Sequence, residues 1–258
     1  MVTLDNVSFS IGNKKLVDNV SASFQAGKLN LIVGPNGAGK STIIKLMSGQ
    51  LRPTSGSINF GLENSFNIPI HQLAKSRAVL SQQIELAFPH KVWEVVMMGR
   101  YPHFVTQPSA TDEKACQEAM QFFDVWGMAK RNYLTLSGGE KQRVQFARVL
   151  AQIWTTEEGV ARYLLLDEPL TFLDIHYQLQ FLKKLKTLLM QRNLTVVGVL
   201  HDLNLAAKYA DHVLMLHGGK LMVLGSPELV FTPENIYSVF QIQARLLEQN
   251  QTFHLFFD

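Results

Sequence analysis

Residues 34–42 read GPNGAGKST, set between the apolar run LNLIV and the helix-like IIKLMSG. A strand that ends in glycines and restarts as a helix presents bare backbone N–H groups at a helix N-terminus, and such a place binds anions. Gly34, then four residues, then Gly39, Lys40 and Ser41 match the spacing of a phosphate-binding loop. In that pattern Gly34, Pro35, Asn36, Gly37, Ala38 and Gly39 wrap the phosphates and Lys40 reaches the outer two. Ser41 gives its hydroxyl to Mg²⁺, and Thr42 reaches the inner phosphate. The alternative is an ordinary glycine turn with an exposed lysine, so a second element has to agree.

YLLLDEP, residues 163–169, is an apolar strand ending on two adjacent carboxylates. In an open α/β sheet, ligands bind beyond the carboxyl ends of the strands, which is where a phosphate loop also sits. Asp167 would hold Mg²⁺, directly or through water, and Glu168 would polarise an attacking water. A third stretch, LSGGEKQRVQFARVLAQ, spans residues 136–152. Ser137 and Glu140 have capping-box spacing, while Phe146, Leu150 and Ile153 mark an apolar face. Gly138 and Gly139 in the first turn cost about 1 kcal/mol each relative to alanine. They would let a phosphate approach this helix N-terminus closely.

The elements that must position these groups follow from periodicity. The first segment, up to LNLIVG, alternates apolar and polar residues with turn signals at IGNKK and QAGK, as short antiparallel strands do. RYLLLDEP, LTVVGVL and HVLMLHGGKLMVLG are apolar runs separated by helix-like segments, which suits strands buried on both faces. Residues 83–155 read as a helical subdomain, with Thr111 capping DEKACQEAMQFF and Asp112 and Glu113 in its first turn. GSPELV and TPENIYSVF start short helices, with Ser or Thr at the cap and Pro following. The tail QTFHLFFD is expected to add a last edge strand. The expectation is one α/β domain over 1–258: a nucleotide core from 1–82 and 156–225, the helical subdomain 83–155, and C-terminal helices and tail 226–258.

A chain of 258 residues with 47% apolar content can bury a sizeable core. A formal net charge of +3, with Lys and Arg scattered, does not point to nucleic acid. Cys116 is the one cysteine and lies in a helix-like context, which makes it filler and excludes an internal disulfide. The start MVTLDNVSFS lacks a basic flank followed by an apolar stretch, and no apolar run is long enough to span a bilayer. A cytosolic chain is expected.

With GPNGAGKST and LLLDEP in this order and spacing, LSGGE resembles the signature of ATP-binding cassette (ABC) transporter ATPases, over essentially the whole chain. The resemblance implies a P-loop NTPase fold with a RecA-like core, an N-terminal antiparallel β subdomain and an inserted helical subdomain. It implies ATP hydrolysis coupled to transport, with ATP and Mg²⁺ bound by a head-to-tail homodimer. Ser137, Gly138, Gly139 and Glu140 would then face the ATP held by the partner's phosphate loop. Gln82, in AVLSQQ, matches the glutamine that senses Mg²⁺ and the attacking water, with Gln83 as the other occupant. His201 resembles the switch histidine that contacts the γ-phosphate, and Asp174 the aspartate lining the dimer interface. Two departures stand out. Thr171, Phe172, Leu173 and Asp174 replace the usual Ser-Ala-Leu-Asp, and Ile11 occupies the place of the aromatic that stacks on adenine, with Phe9 the nearest aromatic.

The resemblance also implies two transmembrane permease subunits. The segment at 84–104 carries Phe88, Trp93 and Tyr101, which could form a groove for a permease helix or fill the small subdomain's core. AFPHKVWEVVMMGRYPH, together with IWTTEEGVARYLLLDEP, resembles the ATPases of bacterial haem importers, in the same branch as ferric-siderophore and cobalamin importers. That implies haem uptake at the inner (plasma) membrane, with the ATPase peripheral on its cytoplasmic face and a periplasmic or lipid-anchored haem-binding protein supplying cargo. His71, His90, His103, His212 and His217 are scattered, so none is expected to bind haem. A soluble cassette acting on DNA or ribosomes is the rival reading; the short interval between Thr42 and Leu136 leaves no room for long coiled coils.

Overall fold

Apolar runs separated by helices fold here into a central sheet whose parallel strands all aim at one edge. The computed structural model describes residues 1–81, 88–155, 159–191, 193–249 and 252–257. In chain order the elements are β1 (Val2–Ile11), β2 (Lys14–Phe24), β3 (Leu29–Val33), α1 (Lys40–Met47), β4 (Ser55–Phe60), β5 (Glu63–Asn64), α2 (Ile70–Ser76) and β6 (Arg77–Leu80). There follow α3 (Val92–Met97), α4 (Ala110–Phe122), α5 (Gly138–Gln152), β7 (Arg162–Leu166), α6 (Ile175–Gln191), β8 (Leu194–Val199) and α7 (Leu203–Tyr209). The chain ends with β9 (His212–His217), β10 (Lys220–Gly225), α8 (Pro227–Val230), α9 (Pro233–Phe240), β11 (Ala244–Gln249) and β12 (Thr252–Phe257).

The central sheet has the order β10-β9-β3-β8-β7-β6. All its neighbours pair in parallel except β10, which is antiparallel to β9. β3 and β8 are buried at every position, because both faces of a parallel sheet are covered. Leu31, Val33, Leu164, Leu166 and Val196 face a core shared with α3, α4 and α5. Ile32, Leu165, Val197 and Val199 face a second core with α1 and the antiparallel sheet β2-β1-β4-β5. Parallel pairing brings the carboxyl ends of β3, β6, β7 and β8 to one edge, which puts residues 34, 81, 167 and 201 on the same side of the molecule.

Between β6 and β7, the described residues hold α3, α4 and α5 with short 3-10 turns at Met98–His103, Trp126–Met128 and Tyr133–Thr135. The ring of Phe146 stacks on that of Phe181 at 3.9 Å between centroids, joining α5 to α6. Arg100, 2% exposed, donates to Asp112 Oδ1 at 2.9 Å and to the Ala151 carbonyl at 2.8 Å. This fixes the Met98–His103 turn to both α4 and α5. Cys116 is buried, and burial pushes its thiol up to about 12, consistent with filler.

Two local expectations need correction. Ser109, not Thr111, caps α4: its Oγ accepts from Asp112 N while the Asp112 carboxylate bonds back to Ser109. Both residues can cap, and the helix starts two residues earlier because only Ser109 stands three residues before an acidic partner. HVLMLHGGKLMVLG is not one strand but the hairpin β9–β10, turning at Gly218–Gly219, where both φ are positive, 56° and 80°. The tail forms the expected strand, β12. It pairs with β11 as a separate two-stranded sheet packed on α7. Trp93 is half-buried, its ring 5.9 Å edge-on to Trp126.

Candidate nucleotide site

β3 runs into the loop 34–39, and α1 begins at Lys40 with Gly39 as its cap. Gly39 has φ 99°, and a Cβ there would lie 2.5 Å from the Leu16 carbonyl oxygen. The loop therefore lies against β2 with no room for a side chain. It is pinned from β9–β10 as well, since Gly219 N donates to Ala38 O at 3.1 Å and Asp18 N donates to Gly219 O at 2.8 Å. Sequence reasoning missed Gly219; the GG pair before a lysine was the available sign of a tight turn.

Lys40 is 5% exposed and donates to the Gly34 and Pro35 carbonyls at 2.8 and 2.9 Å. Burial lowers its pKa, against the pull of Glu168 and Asp167. Ser41 Oγ donates to Asp167 Oδ1 at 2.9 Å, joining two stretches 126 residues apart. Asp167 is 5% exposed, and its backbone N–H donates to Leu80 O at the end of β6. Burial raises its pKa; the Ser41 bond opposes the rise and the neighbouring Glu168 adds to it. A buried carboxylate that holds a hydroxyl and carries an energetic cost for its charge is a hard-oxygen set suited to Mg²⁺.

Glu168 has a positive φ of 50°, an uncommon conformation for a residue with a side chain. It turns the carboxylate toward the end of β8, where Oε1 lies 2.7 Å from His201 Nε2. Glu168, His201, Thr171 and Leu200 line a cavity of about 220 Å³. The edge thus brings Lys40, Ser41, Asp167, Glu168 and His201 together. Gln82, and Gln83 beside it, lie outside the described residues.

The stretch Ser137–Glu140 forms the N-terminus of α5 and is turned differently. Ser137 caps the helix, Glu140 Oε2 accepts from Ser137 N at 2.8 Å, and Glu140 Oε1 accepts from Arg131 at 2.9 Å. The Ser137 backbone bond, with Arg131 helping, holds the Glu140 carboxyl below its ordinary range. Ser137 and Gly138 are exposed. A Cβ on Gly138 or Gly139 would meet the Phe172–Leu173 segment only at 3.6–3.9 Å, ordinary contact, so packing within the chain does not require glycine at either place. No hydrogen bond among the described residues joins this helix end to the loop 34–42. Its link to the carboxylates is indirect: Gln142 Nε2 donates to Pro169 O at 2.9 Å.

Asp174 caps α6, accepting from Tyr177 N at 3.1 Å, and is itself exposed. Phe172 projects from the same turn, 65% exposed with φ 74°. Ile11 is 63% exposed at the end of β1, while Phe9 packs against the second core.

Residues 17–171 match the ABC transporter family. The chain belongs to that family. Among ABC relatives, it is 44% identical to the Hemin import ATP-binding protein HmuV of Gloeobacter violaceus, over 96% of this chain and 90% of that protein. It is 38% identical to the Hemin import ATP-binding protein HmuV of Methylobacillus flagellatus, over 96% of this chain and 91% of that protein. Its fold superposes on a metal-chelate type ABC transporter solved in an inward-facing conformation, with a TM-score of 0.83, 26% identity and coverage of 100% of this chain and 96% of that one. The ABC fold accounts for the six-stranded sheet, the antiparallel sheet and the helices between β6 and β7.

Proposed function

We propose that this chain is the ATP-hydrolysing subunit of an ABC importer that drives haem across the inner membrane through a separate permease. The observation that carries the reading is the convergence at one sheet edge of a buried lysine, the Ser41–Asp167 pair and the Glu168–His201 pair. In this reading the N–H groups of the loop 34–39 other than Pro35, with Lys40, hold the phosphates of ATP, and Thr42 reaches the innermost. Ser41 and Asp167, with Gln82, hold Mg²⁺. The ion, when bound, neutralises charge between the outer phosphates. Glu168 takes a proton from the attacking water, and His201 keeps that carboxylate oriented while contacting the γ-phosphate.

Two copies complete the site. The uncrowded glycines at the start of α5 and its exposed cap suit Ser137, Gly138, Gly139 and Glu140 to the ATP of a second subunit, with Asp174 and Phe172 at the interface between them. Permease docking is assigned to the surface around Phe88, Trp93 and Tyr101; Phe88 and Tyr101 are 73% and 59% exposed. Near them His103 helps line a cleft of about 580 Å³, with Leu73, Lys75 and Tyr163. A route inward exists: His103 bonds Gln152 O, Gln152 Nε2 donates to Ala74 O and Arg77 O, and Arg77 donates to Met47 O at the end of α1. Movement of the docking surface can therefore reach the phosphate-loop helix.

The cargo assignment draws on the relatives named for hemin import and on the metal-chelate type neighbour. Its test is reconstitution in vesicles with the permease and binding protein. ATP-dependent haem movement that stops with Glu168→Gln is expected. Movement of cobalamin or a ferric siderophore with haem inert would keep the importer and overturn the cargo.

A further inference from the structure

His201 stands at the carboxyl end of β8 with 46% of its side chain open to solvent, so packing alone does not fix its ring. The next residue, Asp202, caps α7, accepting from Leu205 N at 2.9 Å. How the histidine meets Glu168 therefore depends on where the first turn of α7 sits.

The far end of that short helix is fastened to the sheet. Asp211 N donates to Leu29 O at 2.9 Å, Asp211 Oδ2 accepts from Leu29 N at 2.8 Å, and Lys186 pairs with the same carboxylate at 2.7 Å. The near end is fastened to the C-terminal hairpin. Asn204 Nδ2 donates to Leu255 O at 3.1 Å, and Asn204 Oδ1 accepts from Leu255 N at 2.7 Å. One side-chain amide thus supplies both bonds that a neighbouring strand would have made to β12. The Leu255 side chain is 4% exposed, in the same core as Leu203 and Leu205.

We propose that Asn204 is a positioning residue for His201, and that through it the chain's last strand sets the rate of hydrolysis. The inference rests on the reading of His201 as the γ-phosphate contact. A two-point bond three residues from the histidine restrains the first turn of α7, and losing it lets the ring drift from Glu168. Displacements of about 1 Å in a reacting constellation cost up to about a hundredfold in rate.

The test is a cycle of Asn204→Leu, His201→Ala and the double variant in the full-length chain with its permease, read by steady-state ATP hydrolysis and by melting temperature. Asn204→Leu should lower kcat about fivefold while the KM for ATP stays within about twofold. Asn204→Asp keeps the bond from Leu255 N but cannot donate to Leu255 O, and should lose about twofold. In the His201→Ala background, Asn204→Leu should have no further effect, because the residue it acts through is gone. A lower melting temperature with unchanged kcat would overturn the proposal and leave Asn204 as an anchor for the hairpin. So would the same fold-loss in both backgrounds. Full turnover in His201→Ala itself would overturn the reading of the histidine, and this inference with it.

Discussion

The sheet edge and the N-terminus of α5 are both glycine-rich, and both are proposed to meet the phosphates of ATP, yet the chain builds them in opposite ways. At the edge every group has an internal counterpart: Lys40 on two loop carbonyls, Ser41 on Asp167, Glu168 on His201. Its glycine is compelled, because at Gly39 a Cβ would collide with the Leu16 carbonyl. At α5 the cap is self-contained and open to solvent, and neither glycine is compelled by anything in the chain. Glycine that packing demands serves the fold. Glycine that packing does not demand, at a cost to helix stability, serves something that arrives from outside.

The largest effect expected from breaking the edge is Glu168→Gln, which keeps shape and polarity but removes the proposed base. Turnover should fall by about a thousandfold with ATP binding intact, measured by hydrolysis and equilibrium nucleotide binding. Breaking the other region with Ser137→Arg should lower turnover by about a hundredfold. ATP affinity of the isolated subunit should stay unchanged, because its own phosphate loop is untouched.

Stability measurements sharpen the contrast. Gly39→Ala forces a side chain into a left-handed backbone against a carbonyl and should destabilise by about 3 kcal/mol. Gly138→Ala should instead stabilise by about 0.5 kcal/mol in thermal melts while slowing hydrolysis. Loss of stability at both would erase the distinction. The edge also carries a cost of its own: burial raises the Asp167 carboxyl, so the folded chain holds that proton more tightly than the unfolded chain, and stability is lost as pH rises through the raised value. Asp167→Asn should therefore raise the melting temperature of the nucleotide-free protein at neutral pH. The gain should shrink as pH falls toward the ordinary carboxylate range, and Mg²⁺-dependent turnover should be lost.

The family and fold were readable because they rest on local rules. A glycine loop between a buried strand and a helix, an apolar strand ending in two carboxylates and a capping box each declare themselves within a few residues. Relations across the chain were not readable. The Ser41–Asp167 bond depends on strand order, which no local pattern encodes. The sign of the β9–β10 turn, Gly218–Gly219, sat unused between two apolar stretches, and the cap of α4 lay between two residues of similar chemistry. The hairpin bond of Asn204 to Leu255 had no signal at all, because a lone asparagine on a helix looks like solvent-facing polarity.

Whether each catalytic site joins the edge of one copy to the α5 terminus of another is decided by subunit mixing. Ser137→Arg subunits retain a phosphate loop and lack a usable α5 terminus; Lys40→Ala subunits have the converse defect. Each alone should be inactive. Mixed at equal amounts with the permease, they should form heterodimers with one intact site and recover a substantial fraction of wild-type ATP hydrolysis. A mixture as inactive as its two components, with heterodimers demonstrably formed, would place both elements in the same subunit's site and contradict the account.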